Sequence, residues 1–355
     1  MFSHPEYDGH ERVVHAHDAA TGLRAIVALH DTSLGPAFGG CRMYPYADEA
    51  LALADVLRLS RGMTYKAAIC ELPYGGGKSV ILGDPRRDKT PELLRAMGRL
   101  IESLGGRYVT ADDVGTTLGD LAVMREVTKH TAGATASAQA PLAVTAYGVL
   151  MAIEAAVRHY YQRDTFEGLR VAVQGLGNVG YPLCGHLRER GAELVVADVD
   201  PARTAKAAAE LGAEVVGPEA IYEASVDVLA PCALGAILND RTVPRLGARL
   251  VVGGANNQLA EPRHDAMLAA RGIAYVPDYL ANAGGVIDFH QESVDDSPEA
   301  VLRSVERIRG ITAGVLARAA ASGETPLQVA DRIVRERLQA AAAARRHTAS
   351  ASTAG

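Results

Sequence analysis

A glycine-rich turn between an apolar strand and a helix constrains the fold of this chain more than any other feature. Residues 169–174 predict a buried strand, and Gly175, Gly177 and Gly180 follow it in a GxGxxG pattern. The next apolar strand ends at Asp198. Such glycines allow a tight turn and bring backbone N–H groups close to a pyrophosphate, while the acid can bind ribose hydroxyls. The pattern predicts a dinucleotide site; a glycine-rich turn in a flavodoxin-like or nonbinding domain is the alternative.

The rest of the C-terminal half favours a parallel, doubly wound sheet. Apolar strands are predicted at 169–174, 192–198, 213–217, 227–232, 249–254 and 273–278. They alternate with helical or linking segments, as in α/β proteins. Asp198 and Asp200 would repel the 2′-phosphate of NADP, and we expect Arg203, the nearby cation, to point to solvent. NAD is therefore the predicted cofactor.

The N-terminal half has the mixed pattern of an α+β unit. Strands are predicted at 12–17, 23–30, 69–72, 79–82 and 107–111, with a loop at 73–77. In this half, helices are predicted from about residue 48 and at 91–104 and 118–129. In the C-terminal half, helices are also predicted at 144–159, 298–321 and 326–344. The small-residue segment 131–141 is typical of a hinge or linker. We therefore predict an α/β protein with an α+β domain at 1–140, a Rossmann domain at 141–325, a C-terminal helix at 326–344 and a disordered tail at 345–355.

Lysine is scarce in this chain, which makes two of its lysines informative. Only five of the 36 basic residues are lysine; Lys66 follows an apolar helical stretch and Lys78 follows three glycines. A buried lysine can lose its proton and act as a base, whereas arginine stays protonated. A dehydrogenase for a zwitterionic amino acid needs a cation for the α-carboxylate, a base and a carboxylate near the nitrogen. Lys66, Lys78 and one of the adjacent acids Asp112 and Asp113 fit these needs; a surface ion pair is the alternative for each lysine.

Charge and composition argue against several other classes of protein. The net charge of −6 gives no broad attraction to nucleic acid or anionic membranes, so neither is an expected partner. Four widely spaced cysteines without a CxxC pair indicate free thiols in a reducing compartment. His15 and His17 share a predicted strand face without a third ligand, so no metal is predicted. The start of the chain lacks a signal-peptide pattern and no segment is apolar enough to span a bilayer, so we expect a soluble, cytoplasmic protein.

Nine segments resemble the glutamate/leucine/phenylalanine/valine dehydrogenase family, most closely its branch that acts on hydrophobic amino acids. They occur in order along nearly the whole chain: LGPAFGGCRMYPY (34–46), LSRGMTYKAA (59–68), LPYGGGKSVI (72–81), GGRYVTADDVGT (105–116), VTAYGV (144–149), VQGLGNVG (173–180), VLAPCALGAILN (228–239), GGANNQLA (253–260) and YVPDYLANAGGVI (275–287). The resemblance implies an N-terminal substrate and oligomerisation domain, a C-terminal NAD domain and a cleft between them. It also implies a homo-oligomer that reversibly converts a hydrophobic L-amino acid and NAD to a 2-oxo acid, ammonia and NADH.

The resemblance also implies roles for residues that match the family's motifs. Lys78 would be the general base that activates water, and Asp113 would contact the substrate amine and relay its proton. Lys66 and the backbone of Gly39 and Gly40 would hold the α-carboxylate. The other substrate-binding positions are Phe38, Met63, Asn256, Val286 and Phe289. The cofactor-binding positions are Gly175, Gly177, Asn178, Val179, Gly180, Asp198, Cys232, Ala233 and Asn282.

Some residues depart from the family's pattern. Phe38 and Phe289 are larger than the residues usual at these positions, so they would narrow the side-chain pocket and favour branched aliphatic substrates. Ordinary core packing of both rings is the alternative, as is an enzyme for phenylalanine or tryptophan. The segment 137–143 and Ala236 also differ from the family's pattern. A catalytically silent NAD-binding homologue and a glutamate-specific enzyme are the remaining alternatives, although no extra cation for a side-chain carboxylate is evident.

Overall fold

The computed structural model describes residues 1–132, 141–292, 294–295 and 297–352, with the backbone alone described at 141–143 and 348–352. Two compact units form the chain: Met1–Ala136 with Val334–Gly355, called unit 1, and Ser137–Ile333, called unit 2. Most of the predicted linker, residues 133–140, lies outside the described residues.

Unit 1 is built on a five-stranded mixed sheet in the order β1-β2-β4-β3-β5. The strands are β1 (Arg12–Asp18), β2 (Leu23–Leu29), β3 (Ala37–Tyr44), β4 (Gly75–Leu82) and β5 (Tyr108–Ala111). The helices are α1 (Glu49–Ile69), α2 (Pro91–Ser103) and α3 (Leu118–Arg125). Alternate residues of β2 face opposite sides: Ile26 packs with Val56 of α1, and Val27 packs in the cluster that contains Met97 of α2.

Polar side chains begin each of these helices. Asp48 accepts a hydrogen bond from the Leu51 N–H at the start of α1, and Thr90 accepts one from Leu93 at the start of α2. Thr117 and Asp120 form a capping box at the start of α3. These side chains satisfy N–H groups that have no partner inside the helix, which explains why the helices begin at these residues.

The glycine run 75–77 lies inside β4 rather than in the predicted loop 73–77. Close packing requires glycine here: a Cβ atom at Gly76 would lie 2.2 Å from the Thr64 N of α1, and one at Gly77 would lie 2.7 Å from the Tyr108 ring. The predicted strand at 69–72 is also wrong, because α1 continues to Ile69 and a turn follows. Local propensity disfavours glycine in strands, but tertiary packing decides the structure here.

Unit 2 contains the predicted parallel sheet, with six strands in the order β11-β10-β9-β6-β7-β8. The strands are β6 (Arg170–Gln174), β7 (Glu193–Ala197), β8 (Glu214–Val215), β9 (Val228–Pro231), β10 (Leu250–Val251) and β11 (Ala274–Tyr275). The helices are α4 (Pro141–Tyr161), α5 (Gly180–Glu189), α6 (Pro201–Leu211), α7 (Arg263–Ala270), α8 (Asp278–Ala281), α9 (Gly284–Glu292) and α10 (Pro298–Ser322). Every strand pairing is parallel, and the order reverses between β6 and β9, as in a Rossmann fold. The predicted α/β class is confirmed.

The last helix, α11 (Pro326–Ser352), is longer than expected. Residues 345–352, expected in a disordered tail, continue this helix, and 353–355 lie outside the described residues. The alanines and arginines at 340–346 are strong helix formers and favour continuation of the helix past residue 344. From Val334 onward the chain belongs to unit 1. There Arg337 Nη1 donates to the carbonyl oxygens of Ala68 and Ile69, at 2.7 and 2.8 Å.

None of the described helices is both long and apolar enough to cross a membrane. The four cysteines are free thiols, and Cys41, Cys70 and Cys184 are buried.

Candidate active site

Three neighbouring strands of unit 1 bring together Gly40, Lys78 and Asp113. Lys78 lies on β4, Gly40 on the adjacent β3, and Asp113 just after β5 on the other side of β3. Lys78 Nζ lies 2.7 Å from Asp113 Oδ2. A Cβ atom at Gly40 would lie 2.8 Å from Asp113 Cβ and 3.2 Å from Lys78 Nζ. The missing side chain at Gly40 therefore leaves the space in which Lys78 and Asp113 meet.

Both predicted site lysines are buried, with 9% of Lys66 and 6% of Lys78 exposed. The alternative of a surface ion pair is therefore wrong for each of them. Lys66 lies in the last turn of α1. Burying a lysine ammonium costs free energy unless the charge is paired, so a functional reason is expected for both positions. Binding the substrate carboxylate remains the predicted role of Lys66.

Asp113 is held as a carboxylate by two cations. Its Oδ2 accepts from Lys78 Nζ at 2.7 Å and from Arg42 Nε at 3.0 Å. Burial alone would raise the pKa of Asp113, but Lys78 and Arg42 outweigh burial and lower the pKa well below its usual range. Burial raises the pKa of the adjacent Asp112. The pKa values of the two neighbouring carboxyl groups are thus shifted in opposite directions. Asp113 is the one suited to bind a cation such as a substrate ammonium.

Sequence reasoning missed Arg42 and Tyr108, both of which contact predicted site residues. The Tyr108 hydroxyl donates to the Gly39 carbonyl oxygen at 2.7 Å and so fixes the backbone beside Gly40. A Cβ atom at Gly39 would lie 3.2 Å from Met63 Cγ of α1. A charged residue directly after GGC in an apolar strand was the available signal for Arg42, but β3 itself was not predicted.

Of the predicted pocket residues, Phe38 lies in unit 1, and Val286 and Phe289 lie in unit 2. Phe38 is buried, and its ring centroid lies 5.8 Å from that of Tyr74. In unit 2, Val286 is buried and Phe289 is partly exposed. They are three residues apart on α9 and so share one helix face. Contact with a substrate side chain stays a prediction for these three residues.

The glycine turn of unit 2 has the geometry that a pyrophosphate site needs. Gly175 has a φ of +90°, and a Cβ atom there would lie 2.7 Å from Ala233 Cβ. A Cβ atom at Gly180 would lie 1.8 Å from the Gly175 carbonyl oxygen. Helix α5 begins at Gly180, and no side chain of the described residues caps its start. The positive end of a helix dipole attracts anions, so this turn fits a dinucleotide pyrophosphate.

Asp198 lies at the end of β7, beside the glycine turn, as predicted. Its Oδ2 accepts from the Leu176 N–H at 2.6 Å, and its Oδ1 accepts from the Asp200 N–H at 2.9 Å. Arg203 is exposed as expected, with 53% of its side chain accessible, but its guanidinium also lies near both acids, 3.7 Å from Asp198 Oδ2 and 3.5 Å from Asp200 Oδ2. Two acidic neighbours attract the guanidinium, so it lies 3.8 Å from the position of a Gly177 Cβ.

The buried side chain of Asn282, predicted to bind the dinucleotide, has one amide oxygen without a partner among the described residues. Asn282 is 4% exposed, and its Nδ2 donates to Asn256 Oδ1 at 2.9 Å and to the Gly254 carbonyl oxygen at 3.2 Å. Its Oδ1 has no hydrogen-bond partner among the described residues. A buried acceptor without a donor is costly, and the carboxamide N–H of a nicotinamide would satisfy it. The residues therefore fit a nicotinamide dinucleotide.

Contacts around Gly254 connect Asn282 to the glycine turn. A Cβ atom at Gly254 would lie 2.7 Å from Val179 Cγ1 and 3.6 Å from Cys232 Sγ. The exposed Asn178 precedes Val179 in the turn. The predicted cofactor-binding residues of unit 2 are thus contiguous, although their roles stay predictions.

A separate cluster in unit 2 contains Asp240, Glu261 and His264, whose ligand atoms lie within 4.8 Å of one another. Arg263 already donates to both carboxylates, to Asp240 at 2.5 Å and to Glu261 at 2.8 Å. The guanidinium occupies the place that a cation would take, so we assign the cluster to ion pairing.

Comparison with known proteins shows the family to which the chain belongs. The model of the Glu/Leu/Phe/Val dehydrogenase dimerisation domain matches residues 10–130, and the Glutamate/Leucine/Phenylalanine/Valine dehydrogenase model matches 137–204 and 201–346. The leucine dehydrogenase of Thermoactinomyces intermedius is 46% identical over 342 residues, which cover 96% of this chain and 93% of the relative.

Solved structures show the same similarity. The crystal structure of L-tryptophan dehydrogenase from Nostoc punctiforme matches with a TM-score of 0.81 and 44% identity, covering 94% of this chain and 96% of that one. The hetero-hexameric glutamate dehydrogenase from Thermus thermophilus in its Leu-bound form matches with a TM-score of 0.79 and 25% identity, covering 95% of this chain and 90% of that one. The chain therefore belongs to the Glutamate/Leucine/Phenylalanine/Valine dehydrogenase family and is an oxidoreductase that acts on amino acids.

Proposed function

We propose that the protein is an NAD-dependent dehydrogenase of hydrophobic L-amino acids, with branched aliphatic side chains favoured. The reaction takes an amino acid, NAD and water to a 2-oxo acid, ammonia and NADH, and it is reversible. The buried contact of Lys78 with Asp113 beside Gly40 carries the proposal. It provides a potential base and an ionised carboxylate within one hydrogen bond of each other, which suits chemistry at a substrate nitrogen and its neighbouring carbon.

Different residues of unit 1 bind different groups of the amino acid. Lys66 and the Gly39–Gly40 backbone bind the α-carboxylate, and Asp113 binds the substrate ammonium and relays one of its protons to solvent, which leaves the neutral amine that loss of a hydride requires. When bound to unit 2, the dinucleotide would supply the acceptor for the hydride of the α-carbon. Lys78 then takes a proton from water as that water adds to the iminium carbon, returns it to the nitrogen, and takes the hydroxyl proton as the carbon–nitrogen bond breaks and ammonia leaves. The glycine turn of 175–180, Asp198 and Asn282 hold and orient the dinucleotide.

Product stoichiometry tests the proposed reaction. With L-valine or L-leucine and NAD, we expect NADH, ammonia and the matching 2-oxo acid to form in equal amounts. NADH formation without ammonia would contradict deamination, and it would point to an oxidation at another substrate position.

The surroundings of Asp198 predict a preference for NAD. We expect NAD to exceed NADP by at least about tenfold in kcat/KM, or about 1.4 kcal/mol, because a largely buried carboxylate repels a 2′-phosphate. Asp198→Ala should narrow the preference. Arg203→Ala is the matched variant: because it removes the cation beside Asp198, the preference for NAD should widen. Equal kcat/KM values for the two cofactors in the unmodified protein would overturn this assignment.

Phe289 is expected to restrict the size of the substrate side chain. Phe289→Ala should shift kcat/KM from aliphatic toward aromatic amino acids by about 1–3 kcal/mol, because the space left by the ring suits a larger substrate. The measurement is kcat/KM for L-leucine and L-tryptophan, accompanied by a thermal melt.

Two outcomes would contradict this role of Phe289. If the variant melts earlier and both substrates lose activity equally, Phe289 packs in the core instead. If the unmodified protein already prefers L-tryptophan or L-phenylalanine, the rings do not narrow the pocket and instead stack on an aromatic substrate.

We further propose that the protein is a homo-oligomer. The match of residues 10–130 to a dimerisation domain supports this, and the hetero-hexameric assembly of a structural relative supports an oligomer in general. Light scattering at several protein concentrations tests it, and a mass of one chain would contradict it. The cytoplasmic location remains a prediction from the sequence.

A further inference from the structure

Arg42 is an unusual residue for its place in the fold. It lies on β3 between Cys41 and Met43, whose side chains are completely buried. Only 19% of the Arg42 side chain is exposed. A charge in this setting is costly unless it is paired, so its partners should explain its presence.

Two carboxylates hold the Arg42 guanidinium from opposite ends. Nε lies 3.0 Å from Asp113 Oδ2, and Nη1 lies 2.7 Å from Asp55 Oδ2 of α1. The Tyr46 hydroxyl also donates to Asp55 Oδ2, at 2.5 Å. Asp55 is therefore fixed by two donors and in turn fixes Arg42. The planar guanidinium, with separate donors, can reach both acids at once, which a lysine ammonium does less well.

The contact with Asp113 connects this pair to the proposed site. Arg42 Nε and Lys78 Nζ both donate to the same oxygen, Asp113 Oδ2. Without Arg42, the buried Asp113 carboxylate would keep one cation in place of two, and only Lys78 and the backbone N–H of Val114 would then stabilise its charge. Lys78 is the residue whose proton must move in the reaction, so a second cation is needed to hold Asp113 when that proton leaves.

We propose that Arg42 is a positioning residue: anchored by Asp55 and Tyr46, it keeps Asp113 ionised and oriented while Lys78 changes its protonation. This role rests on the proposed function, because it takes Asp113 to be the group that binds the substrate amine. Arg42 acts through Asp113 and does not itself touch the substrate.

The titratable and charged groups around Asp113 determine the pH at which its carboxylate is protonated. They are Lys78 on β4, Arg42 and Cys41 on β3, Tyr108 on β5 and the adjacent Asp112, with Asp55 behind Arg42. Burial raises the pKa of Cys41 to about 12 and also raises that of Tyr108, so both stay neutral at working pH. Lys78 and Arg42 are thus the cations that lower the pKa of Asp113. Removing Arg42 raises that pKa, and the carboxylate is then lost at a higher pH than in the unmodified protein.

The test compares Arg42→Met with Arg42→Lys in the full-length protein, with L-leucine and NAD as substrates. We expect Arg42→Met to lower kcat by at least about tenfold and to move the acidic limb of the kcat/KM profile to higher pH. Arg42→Lys should recover part of the lost kcat and reverse part of the shift of the acidic limb. It restores the positive charge but cannot make the contacts with Asp113 and Asp55 at the same time. NADH binding, measured by fluorescence, should stay unchanged, since the glycine turn and Asn282 lie in unit 2.

Two further variants keep the test decisive. Arg95→Met is the matched control: Arg95 Nε pairs with Glu126 at 2.7 Å in the same unit but on its surface, so kcat should be unchanged. Tyr46→Phe removes one hydroxyl from the Asp55 anchor and serves if Arg42→Met does not fold. It should lower kcat by about twofold to fivefold and shift the acidic limb in the same direction.

The possible failures are distinguishable. An active parent combined with a folded Arg42→Met variant of unchanged kcat and pH profile overturns the role of Arg42 alone, and an unchanged Tyr46→Phe profile does so if only that variant folds. A parent that forms no NADH from any L-amino acid overturns the proposed function and the role of Arg42 together.

Discussion

Replacing Lys78 with alanine is expected to lower kcat by about 10²–10⁴-fold while leaving NADH binding nearly unchanged. Lys78 Nζ is buried and lies 2.7 Å from Asp113 Oδ2, where the proposed reaction needs a base for the attacking water. The residues proposed to bind the dinucleotide belong to the other unit, so the effect should be confined to turnover. Steady-state kinetics with L-leucine and a fluorescence titration with NADH measure the two quantities separately.

Lys78→Arg separates the need for a base from the need for a charge. Arginine keeps a cation beside Asp113 but does not release its proton at working pH, so this variant should be almost as slow as Lys78→Ala. Turnover close to that of the unmodified protein in either variant would remove Lys78 from the mechanism.

Lys66→Ala is expected to act mainly on substrate binding. Loss of a charged hydrogen bond to the α-carboxylate costs about 1.5–3 kcal/mol, so KM for the amino acid should rise by about tenfold to hundredfold. A decarboxylated amine, which lacks the group that Lys66 binds, should compete better in the variant than in the parent. Steady-state kinetics with L-leucine, with isopentylamine as the competitor, measure both effects.

Lys89→Ala provides the matched control for Lys66. Lys89 belongs to the same unit and pairs with Asp120 at 2.7 Å, outside the proposed site. Its KM should equal that of the parent. An unchanged KM in Lys66→Ala would show that the Lys66 ammonium has a structural role only.

The dinucleotide half of the protein could be predicted well from its sequence because its signals are local. The strand before Gly175, the turn to Gly180 and the acid at Asp198 occupy one continuous segment, and the structure shows a parallel sheet with the Rossmann strand order. Arg203 is exposed as predicted, but helical position alone did not show that Asp198 and Asp200 attract its guanidinium. Side-chain direction at an exposed helix start depends on such partners.

The substrate half was harder to predict because its contacts come from separate strands. Composition singled out Lys66 and Lys78, and the structure buries both. The sequence could not show that the glycines at 75–77 lie within a strand. They do so because α1 and Tyr108 approach this strand closely, and only the structure shows these contacts. Strand β3 also contains two glycines and was not predicted. The contact of Arg42 on β3 with Asp113 was therefore missed as well.

The rate of NADH formation by the unmodified protein with a panel of L-amino acids tests the central claim most directly. The panel contains L-valine, L-leucine, L-phenylalanine, L-tryptophan, L-alanine and L-glutamate, each with NAD at saturation. The proposed function predicts the highest kcat/KM for L-valine or L-leucine and very little NADH from L-glutamate. NADH formation fastest with L-glutamate, or absent with every amino acid of the panel, would contradict it.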